Sequence, residues 1–172
     1  MKLLIFLLLL GAVAYFAPGP VAHIESDIEI SASRDRVWTV VSDLSGARLW
    51  DPLMKETKLV GDVKTGIGAA RGASGALVKT QEKVIDWVPY NKIVFEATHE
   101  PRVTKFESST IEVTPGGSTT TRVRWAMDYQ MAGGYLGFLA DKVVLGSIHQ
   151  GRVDTGLSNL KRYAETGEPA NY

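Results

Sequence analysis

The stretch that most constrains the fold covers residues 28–52, IEISASRDRVWTVVSDLSGARLWDP, because its hydrophobic periodicity changes at one serine. The isoleucines before that serine alternate with polar residues, as in a half-buried strand, and the apolar residues after it recur at helical spacing. Ser33 stands where an N-cap is expected, since its hydroxyl can accept a hydrogen bond from the free amides of the first turn. The stretch therefore predicts a strand over residues 23–32 followed by a helix over residues 33–44.

Length and composition narrow the possible classes of protein. A chain of 172 residues with 45% hydrophobic residues can bury one ordinary globular core. The 19 basic and 19 acidic residues give no net charge, and no basic run stands out, so nucleic acid is not an expected partner. The chain contains no cysteine, which excludes disulfides, thiolate catalysis and cysteine-ligated zinc.

The N-terminus is a membrane-directed segment, since no charged or strongly polar residue occurs over residues 3–17. As a helix this segment rises about 22 Å, short of the roughly 30 Å hydrocarbon core, which is typical of a secretory signal. Residues 12–14 offer a small-x-small cleavage pattern, yet extension to Ala22 nearly reaches a spanning length. Residues 1–22 are therefore predicted to be a membrane anchor, with a signal segment and linker as the alternative, and the protein is expected to be membrane-anchored or exported.

Beyond Pro52 the pattern changes to strands. Alternation is clearest over the last of them, where Trp125 and Tyr129 point one way and Arg124 and Asp128 the other. One covered face and one wet face are typical of an antiparallel meander. The predicted strands cover residues 55–60, 69–75, 77–88, 92–100, 104–114 and 119–131.

The final segment returns to helical periodicity and predicts one long helix over residues 134–166, ending at Gly167. Its apolar stripe begins with Leu136, Leu139 and Val143 and is expected to face the sheet. Three glycines inside it either weaken the helix or keep volume free against the sheet. They are Gly146, Gly151 and Gly156.

This order of elements resembles the START/Bet v 1-like superfamily, also called SRPBCC or polyketide cyclase/dehydrase-like. The residues that carry the resemblance are 28–44, Trp50 with Pro52, 66–68, 84–95 and 157–161. The resemblance covers residues 23–168, which are taken as one domain. It implies an α+β helix-grip fold, in which a curved antiparallel sheet wraps around a long C-terminal helix and two short helices follow the first strand. It also implies an apolar cavity that binds lipids, polyketides, quinones or similar molecules.

Residues on the covered faces of the strands and of the long helix are candidates to line this cavity, with Trp50 near its opening. For each of them taken singly, simple core packing is the favoured interpretation, and the many glycines shift the balance toward ligand contact for the set. The candidate ligand-binding residues are Trp50, Phe95, Trp125, Met127, Tyr129, Leu136, Leu139 and Val143.

The histidines give little support for a metal site, since His23, His99 and His149 lie far apart without a ligand motif. No metal and no cofactor is therefore predicted. His99 continues the inward parity of its strand, so it is a candidate general base at a strand end. His149 is expected to be a solvated helix residue.

Two further side chains are candidates for acid or base chemistry in the cavity, Tyr129 and Arg71. Arg71 can pair with Glu82 or Asp86, and a surface pair is the favoured interpretation because the strand parity there is ambiguous. Ser108 and its neighbour lack a nucleophile elbow, so a serine hydrolase finds no support.

Three classes of function remain. The preferred one is a noncatalytic module that binds a hydrophobic small molecule at or near a membrane. The second is a cyclase/dehydrase-type enzyme with a cavity acid or base, and the third is an interaction domain with a filled core. The sequence predicts no oligomeric state.

Overall fold

A computed structural model describes residues 2–74 and 78–171. The chain forms an apolar N-terminal helix, a seven-stranded sheet and a C-terminal helical region. The helices before the last strand are α1 (Lys2–Phe16), α2 (Arg34–Ser42) and a 3-10 turn (Gly46–Leu49). The strands are β1 (Ala22–Ile30), β2 (Lys58–Val60), β3 (Ala70–Ser74), β4 (Lys79–Val88), β5 (Lys92–Glu100), β6 (Thr104–Pro115) and β7 (Thr121–Met131). The helical region consists of α3 (Gly134–Ala140), a π-helical turn (Asp141–Leu145) and α4 (Gly146–Thr166).

The sheet is an antiparallel meander of β2 to β7, with β1 added at one edge beside β7. Its strand order is β1-β7-β6-β5-β4-β3-β2, and every neighbouring pair is antiparallel. The sheet is curved and unclosed, with β1 and β2 at its edges, and α4 packs against it. This arrangement confirms the predicted α+β helix-grip fold, including the two short helices after the first strand.

The alternation in the strands determines which face is covered. In β5, Ile93, Phe95 and Ala97 are buried, and the alternating residues Glu96 and Thr98 are exposed. Side chains of successive strand residues point to opposite faces, so the buried set faces α4. The predicted faces of this strand are confirmed.

Strand β4 contains a bulge that sequence periodicity cannot locate. The register against β5 shifts between Val84 and Asp86, and the intervening Ile85 is 46% exposed. A bulge adds one residue to one strand, which reverses the facing of everything beyond it. Before the bulge Thr80, Glu82 and Val84 point inward, and beyond it Trp87 packs against the core, a parity that the sequence left ambiguous.

Helix α2 begins as its sequence predicts. The Arg36 amide donates a hydrogen bond to Ser33 Oγ at 3.3 Å, which confirms the N-cap. Val37, Val40 and Val41 are buried against the sheet side of the core. This helix therefore anchors the segment that leads to the 3-10 turn.

The helix predicted over residues 134–166 has the predicted extent, but a π-helical turn interrupts its α-helical pattern. Only its later part has the expected buried stripe, which consists of Val153, Leu157, Leu160 and Ala164. Leu136, Leu139 and Val143 are 43%, 45% and 82% exposed, so the expectation that they face the sheet is wrong.

The interruption coincides with a buried contact to the sheet. The Tyr129 hydroxyl donates to Asp141, 3.0 Å and 3.2 Å from its two carboxylate oxygens, and the π-helical turn begins at Asp141. A wider turn rotates the residues before it away from the helix face that follows. The stripe therefore changes direction at the point where Asp141 meets Tyr129. The helix ends at Gly167, as predicted, in a left-handed conformation with φ +80°.

Helix α1 lies against α3, and none of its residues is buried. The Tyr135 amide donates to the Ala17 carbonyl at 3.1 Å, which ties the end of α1 to the start of α3. Within residues 2–74 and 78–171, no helix combines the length and the apolar character needed to cross a membrane.

Candidate ligand-binding pocket

A pocket of about 540 Å³ lies beside the first half of α4. Its walls come from α4, from the ends of β5 and β7, from the starts of β4 and β6, and from the segment after the 3-10 turn. Most of the lining is apolar. The apolar residues are Pro52, Leu53, Val78, Val103, Met131, Leu145 and Ile148.

His99 borders this pocket from the sheet side, and both of its ring nitrogens are engaged. Its Nε2 lies 2.7 Å from a Glu107 carboxylate oxygen, and its Nδ1 lies 3.0 Å from the Thr80 hydroxyl oxygen. The His99 and Glu107 side chains are 7% and 2% exposed. An imidazole held at both nitrogens is fixed in orientation, and it has no free nitrogen for a ligand proton.

His149 borders the pocket from α4. Its ring packs on the Tyr129 ring with 4.6 Å between centroids, and it makes no hydrogen bond to the described part of the chain. Burial lowers the pKa of His149, although Glu107 and Asp141 oppose that shift. The imidazole is therefore neutral at pH 7. The expectation that His149 is a solvated surface residue is wrong, because the turn before α4 brings it to the pocket wall.

Tyr129 lies behind His149 with its hydroxyl hydrogen-bonded to Asp141. Burial, followed by that hydrogen bond, raises the pKa of Tyr129 above its ordinary value. The phenol stays protonated over the physiological pH range and acts as a donor to Asp141.

Four charged side chains form a buried cluster that reaches the pocket through Arg152. We call it the charge quartet: Asp51, Arg71, Glu82 and Arg152. Arg71 donates to Glu82 from Nε at 2.9 Å and from Nη2 at 2.7 Å. Arg152 Nη2 donates to Asp51 and to Glu82, each at 2.8 Å. Two guanidinium groups and two carboxylates sum to zero net charge, so the quartet compensates itself.

The quartet holds Glu82 and Arg152 in their charged forms. Burial by itself would raise the pKa of Glu82, but Arg71 and Arg152 outweigh it and lower that pKa to about 2. Burial likewise acts to lower the pKa of Arg152, and Asp51 and Glu82 reverse the direction and raise it. A buried charge is tolerated where it is paired and hydrogen-bonded in this way.

The favoured interpretation of Arg71 as a surface ion pair is wrong. Arg71 and Glu82 stand opposite each other on β3 and β4 and are each 1% exposed. Asp86 pairs instead with Lys92 at the surface, at 2.7 Å. The bulge in β4 separates these two carboxylates onto different faces.

Four of the predicted ligand-binding residues lie in the hydrophobic core. Trp50, expected near the opening, is fully buried and packs edge to face on Trp125 with centroids 5.6 Å apart. Trp125 Nε1 donates to Ser109 Oγ at 2.7 Å. Phe95 and Met127 are also buried in this core. Their predicted contact with a ligand stays a prediction.

The other four predicted residues lie elsewhere. Leu136, Leu139 and Val143 are exposed on and after α3, and Tyr129 is buried behind His149. Ligand contact by these four also stays a prediction, as does a catalytic role for His99, Tyr129 or Arg71.

The glycines of α4 divide between the pocket and the core. A Cβ built on Gly151 meets nothing within 4 Å, and Gly151 borders the pocket. A Cβ on Gly156 would lie 2.4 Å from Trp125 Cζ3. Gly151 therefore leaves space open, whereas Gly156 admits an indole ring.

Sequence reasoning missed the polar residues that α4 contributes to the pocket. His149, Arg152 and Thr155 follow one another at three-residue spacing and all border it. Residues three apart share a helix face. That spacing was visible in the sequence, but only the fold shows that this face meets the pocket. The described part of the chain holds no group of three or more His, Cys, Asp or Glu residues arranged for a metal ion.

Comparison with known proteins gives a match to one protein family. A family model described as polyketide cyclase / dehydrase and lipid transport matches residues 21–165. No curated relative matches the chain at a significant level.

Many solved structures share the fold. A protein from Bacillus thuringiensis has a TM-score of 0.66 and 20% identity, covering 83% of this chain and 98% of its own. A protein from Nitrosospira multiformis has a TM-score of 0.65 and 15% identity, covering 85% and 98%. Norcoclaurine synthase from Thalictrum flavum, in complex with dopamine and hydroxybenzaldehyde, has a TM-score of 0.63 and 17% identity, covering 83% and 86%. Identities this low establish a common fold.

Proposed function

Because the chain belongs to the polyketide cyclase/dehydrase and lipid transport family, we propose that it binds a hydrophobic small molecule in the pocket beside α4. The observation that carries the proposal is the pocket itself, about 540 Å³ with a mainly apolar lining. Ligand sites are concave and mostly apolar, with a few polar groups that set orientation. An interaction domain with a filled core fits this cavity poorly.

We propose a noncatalytic role. The strongest predicted base, His99, has both nitrogens occupied by Glu107 and Thr80. Arg71 is committed to Glu82, and Tyr129 to Asp141. Groups held in this way support the pocket more readily than they exchange protons with its contents.

A cyclase/dehydrase-type enzyme is the second candidate, and one observation favours it. His149 is a neutral imidazole at the pocket wall and makes no hydrogen bond to the described residues. Such a group is able to act as a general base. Turnover of a bound ligand that is lost in His149→Gln while ligand binding persists would establish the enzyme and end the noncatalytic proposal.

Filling the pocket from Gly151 tests ligand binding. The full chain in lipid nanodiscs would be purified as wild type, as Gly151→Phe and as Gly151→Ala, and copurifying apolar molecules measured by mass spectrometry. We expect Gly151→Phe to lose the bound molecule, since its ring occupies open space. Gly151→Ala keeps most of that space and should retain it.

Circular dichroism of the three proteins shows whether each is folded. Equal amounts of bound molecule in folded Gly151→Phe and wild type would show that the molecule binds elsewhere. No bound molecule in wild type, together with no binding of added apolar probes, would contradict the proposal.

We also propose that residues 1–22 hold the domain at a membrane. Between Leu3 and Leu10 every α1 side chain is more than half exposed. A helix that is apolar on every side needs an apolar medium around it, and one packed neighbour cannot cover all its faces.

Cell fractionation followed by an alkaline wash tests this location. We expect the full chain to stay in the membrane pellet, and a Leu7→Arg variant to be released because a charge in apolar lipid is costly. Lys2→Arg serves as the control and should behave as wild type. A soluble mature protein whose N-terminus follows Ala14 would overturn the anchor and support the signal segment with export.

A further inference from the structure

One face of α4 borders the pocket with His149 and Arg152, whose hydrogen-bond donors are not all used by the described residues. Arg152 Nε and Nη2 donate to Asp51 and Glu82, and Arg152 Nη1 makes no hydrogen bond within residues 2–74 and 78–171. His149, three residues earlier, makes none to the same residues. A neutral imidazole carries one N–H, and each guanidinium nitrogen carries at least one. The pocket wall therefore provides two donors from one helix face.

The charges around this face do not favour a carboxylate. Both positive charges of the quartet are matched by Asp51 and Glu82. His99 is already paired with Glu107. Glu107 and Asp141 add negative charge near His149, as their opposing effect on its pKa indicates. A ligand carboxylate would meet no uncompensated cation among the described residues, and like charges raise the cost of burying it.

A protonated amine is a poor fit for a different reason. It donates hydrogen bonds and accepts none. The second nitrogen of a neutral His149 can accept one of its hydrogen bonds, but Arg152 Nη1 and the His149 N–H would then lack an acceptor, and the ammonium would lie beside the Arg152 guanidinium. A carbonyl oxygen accepts from both donors and carries no full charge.

We propose that Arg152 and His149 bind the carbonyl oxygen of a neutral apolar ligand, a ketone or an ester, and that the pocket discriminates against carboxylates and amines of the same size. The proposal rests on the proposed function and adds the chemistry of the polar end of the ligand. The apolar body of that ligand would lie against Leu53, Val103, Met131 and Ile148.

Four probes with the same eleven-carbon chain test the assignment: undecane, 2-undecanone, undecanoate and undecylamine. The full chain in nanodiscs would be equilibrated with each at pH 8, and the ligand captured with the protein quantified against empty nanodiscs. We expect 2-undecanone to bind about tenfold more tightly than undecane, which corresponds to one good hydrogen bond to a charged donor. Undecanoate and undecylamine should bind more weakly than the ketone.

His149→Phe isolates the contribution of the α4 donors, because phenylalanine keeps the packing on Tyr129 and removes both nitrogens. We expect it to weaken 2-undecanone binding severalfold and to leave undecane binding unchanged. His23→Phe is the matched control, since His23 is a half-exposed residue of β1 outside the pocket. Arg152 is left intact in this test because its removal would break the quartet.

Three outcomes would overturn the assignment. Tightest binding by undecanoate or undecylamine would contradict the charge argument. Equal binding of ketone and undecane would show that the donors contribute nothing, while the pocket still binds apolar molecules. Binding of none of the four probes would defeat the proposed function together with this inference.

Discussion

The two buried polar regions of this protein, the charge quartet and the pocket wall of His99 and His149, differ in how completely their groups are satisfied. In the quartet every carboxylate accepts from an arginine and the charges sum to zero, and the buried Arg71 Nη1 is left without a hydrogen-bond partner among the described residues. At the pocket wall one imidazole is fixed by two partners and the other makes no hydrogen bond to the described residues. The first region compensates its own charges, so that loss of one member is costly, and the second retains hydrogen-bonding capacity for a ligand.

Arg152 belongs to both regions. Its Nε and Nη2 complete the quartet, and its side chain borders the pocket. A guanidinium with several donors in a rigid plane can serve two sides at once. The comparison therefore predicts that changes in the quartet alter stability strongly, whereas changes at the open wall alter binding and leave stability nearly unchanged.

Removing one charge from the quartet should have the largest effect. Glu82→Gln keeps the volume of the side chain but leaves two arginines with one buried carboxylate. Breaking a buried ion pair by removing one partner costs about 3–5 kcal/mol. Chemical unfolding followed by tryptophan fluorescence measures this free energy. Glu25→Gln, at an exposed ion pair on β1, is the control and should change little. A loss below about 1 kcal/mol would show that the quartet does not stabilise the fold.

Acid should weaken the fold through the same residue. The pKa of Glu82 is about 2 in the folded protein and 4.5 for an ordinary glutamate. Between these two pH values the Glu82 carboxylate is protonated in the unfolded state and ionised in the folded one. Its contribution to the free energy of unfolding is therefore present above pH 4.5 and disappears as the pH falls toward 2. Linkage gives it a size on the order of 3 kcal/mol.

Unfolding free energies of wild type and Glu82→Gln across pH 6 to 2.5 measure this effect. The variant should show a clearly shallower decline than wild type. Identical slopes would mean that other carboxylates cause the acid sensitivity.

Gly156→Ala, where α4 packs against Trp125, should lower the free energy of unfolding by a smaller amount. The new Cβ would lie 2.4 Å from the Trp125 ring, which is held between Trp50 and the Ser109 hydroxyl. Overpacking costs about 1–3 kcal/mol, and the better helix propensity of alanine offsets part of it. We expect a net loss of about 1–2 kcal/mol in the free energy of unfolding. Unchanged stability would show that the indole ring moves aside easily.

Gly151→Ala should change the free energy of unfolding least, and it should raise this free energy where the other substitutions lower it. Its Cβ meets nothing within 4 Å, so only the helix propensity changes. We expect a gain of about 1 kcal/mol or less, measured by the same unfolding experiment. A loss of stability would show that the space beside Gly151 is occupied in the folded protein.

Much of the sheet and the first helix was predictable because local rules decided them. Alternation placed Ile93, Phe95 and Ala97 on the covered face of β5, and Ser33 capped α2 as its position required. The helical region was predicted less well. Leu136 and Val143 match a helical stripe in sequence, but the contact between Tyr129 and Asp141 interrupts the helix at a π-helical turn.

The site was predictable only in part. His99 was found from strand parity, because it continues a regular alternation to the end of β5. Arg71 and Glu82 were recognised as possible partners but assigned to the surface, because the bulge in β4 hides their parity. His149 was missed, since its neighbours in sequence do not show which part of α4 faces a pocket.

By itself, the sequence determined the order of the elements, the faces of the regular strands, the apolar N-terminal segment and the resemblance to a family of ligand-binding folds. These depend on periodicity, end signals and composition, which act over a few residues. Tertiary structure decided that Arg71 and Glu82 are buried, that Trp50 belongs to the core, and that His149 and Arg152 meet at a pocket. Those outcomes depend on contacts between residues far apart in the chain, where a single bulge or a single wide turn changes which side chains come together.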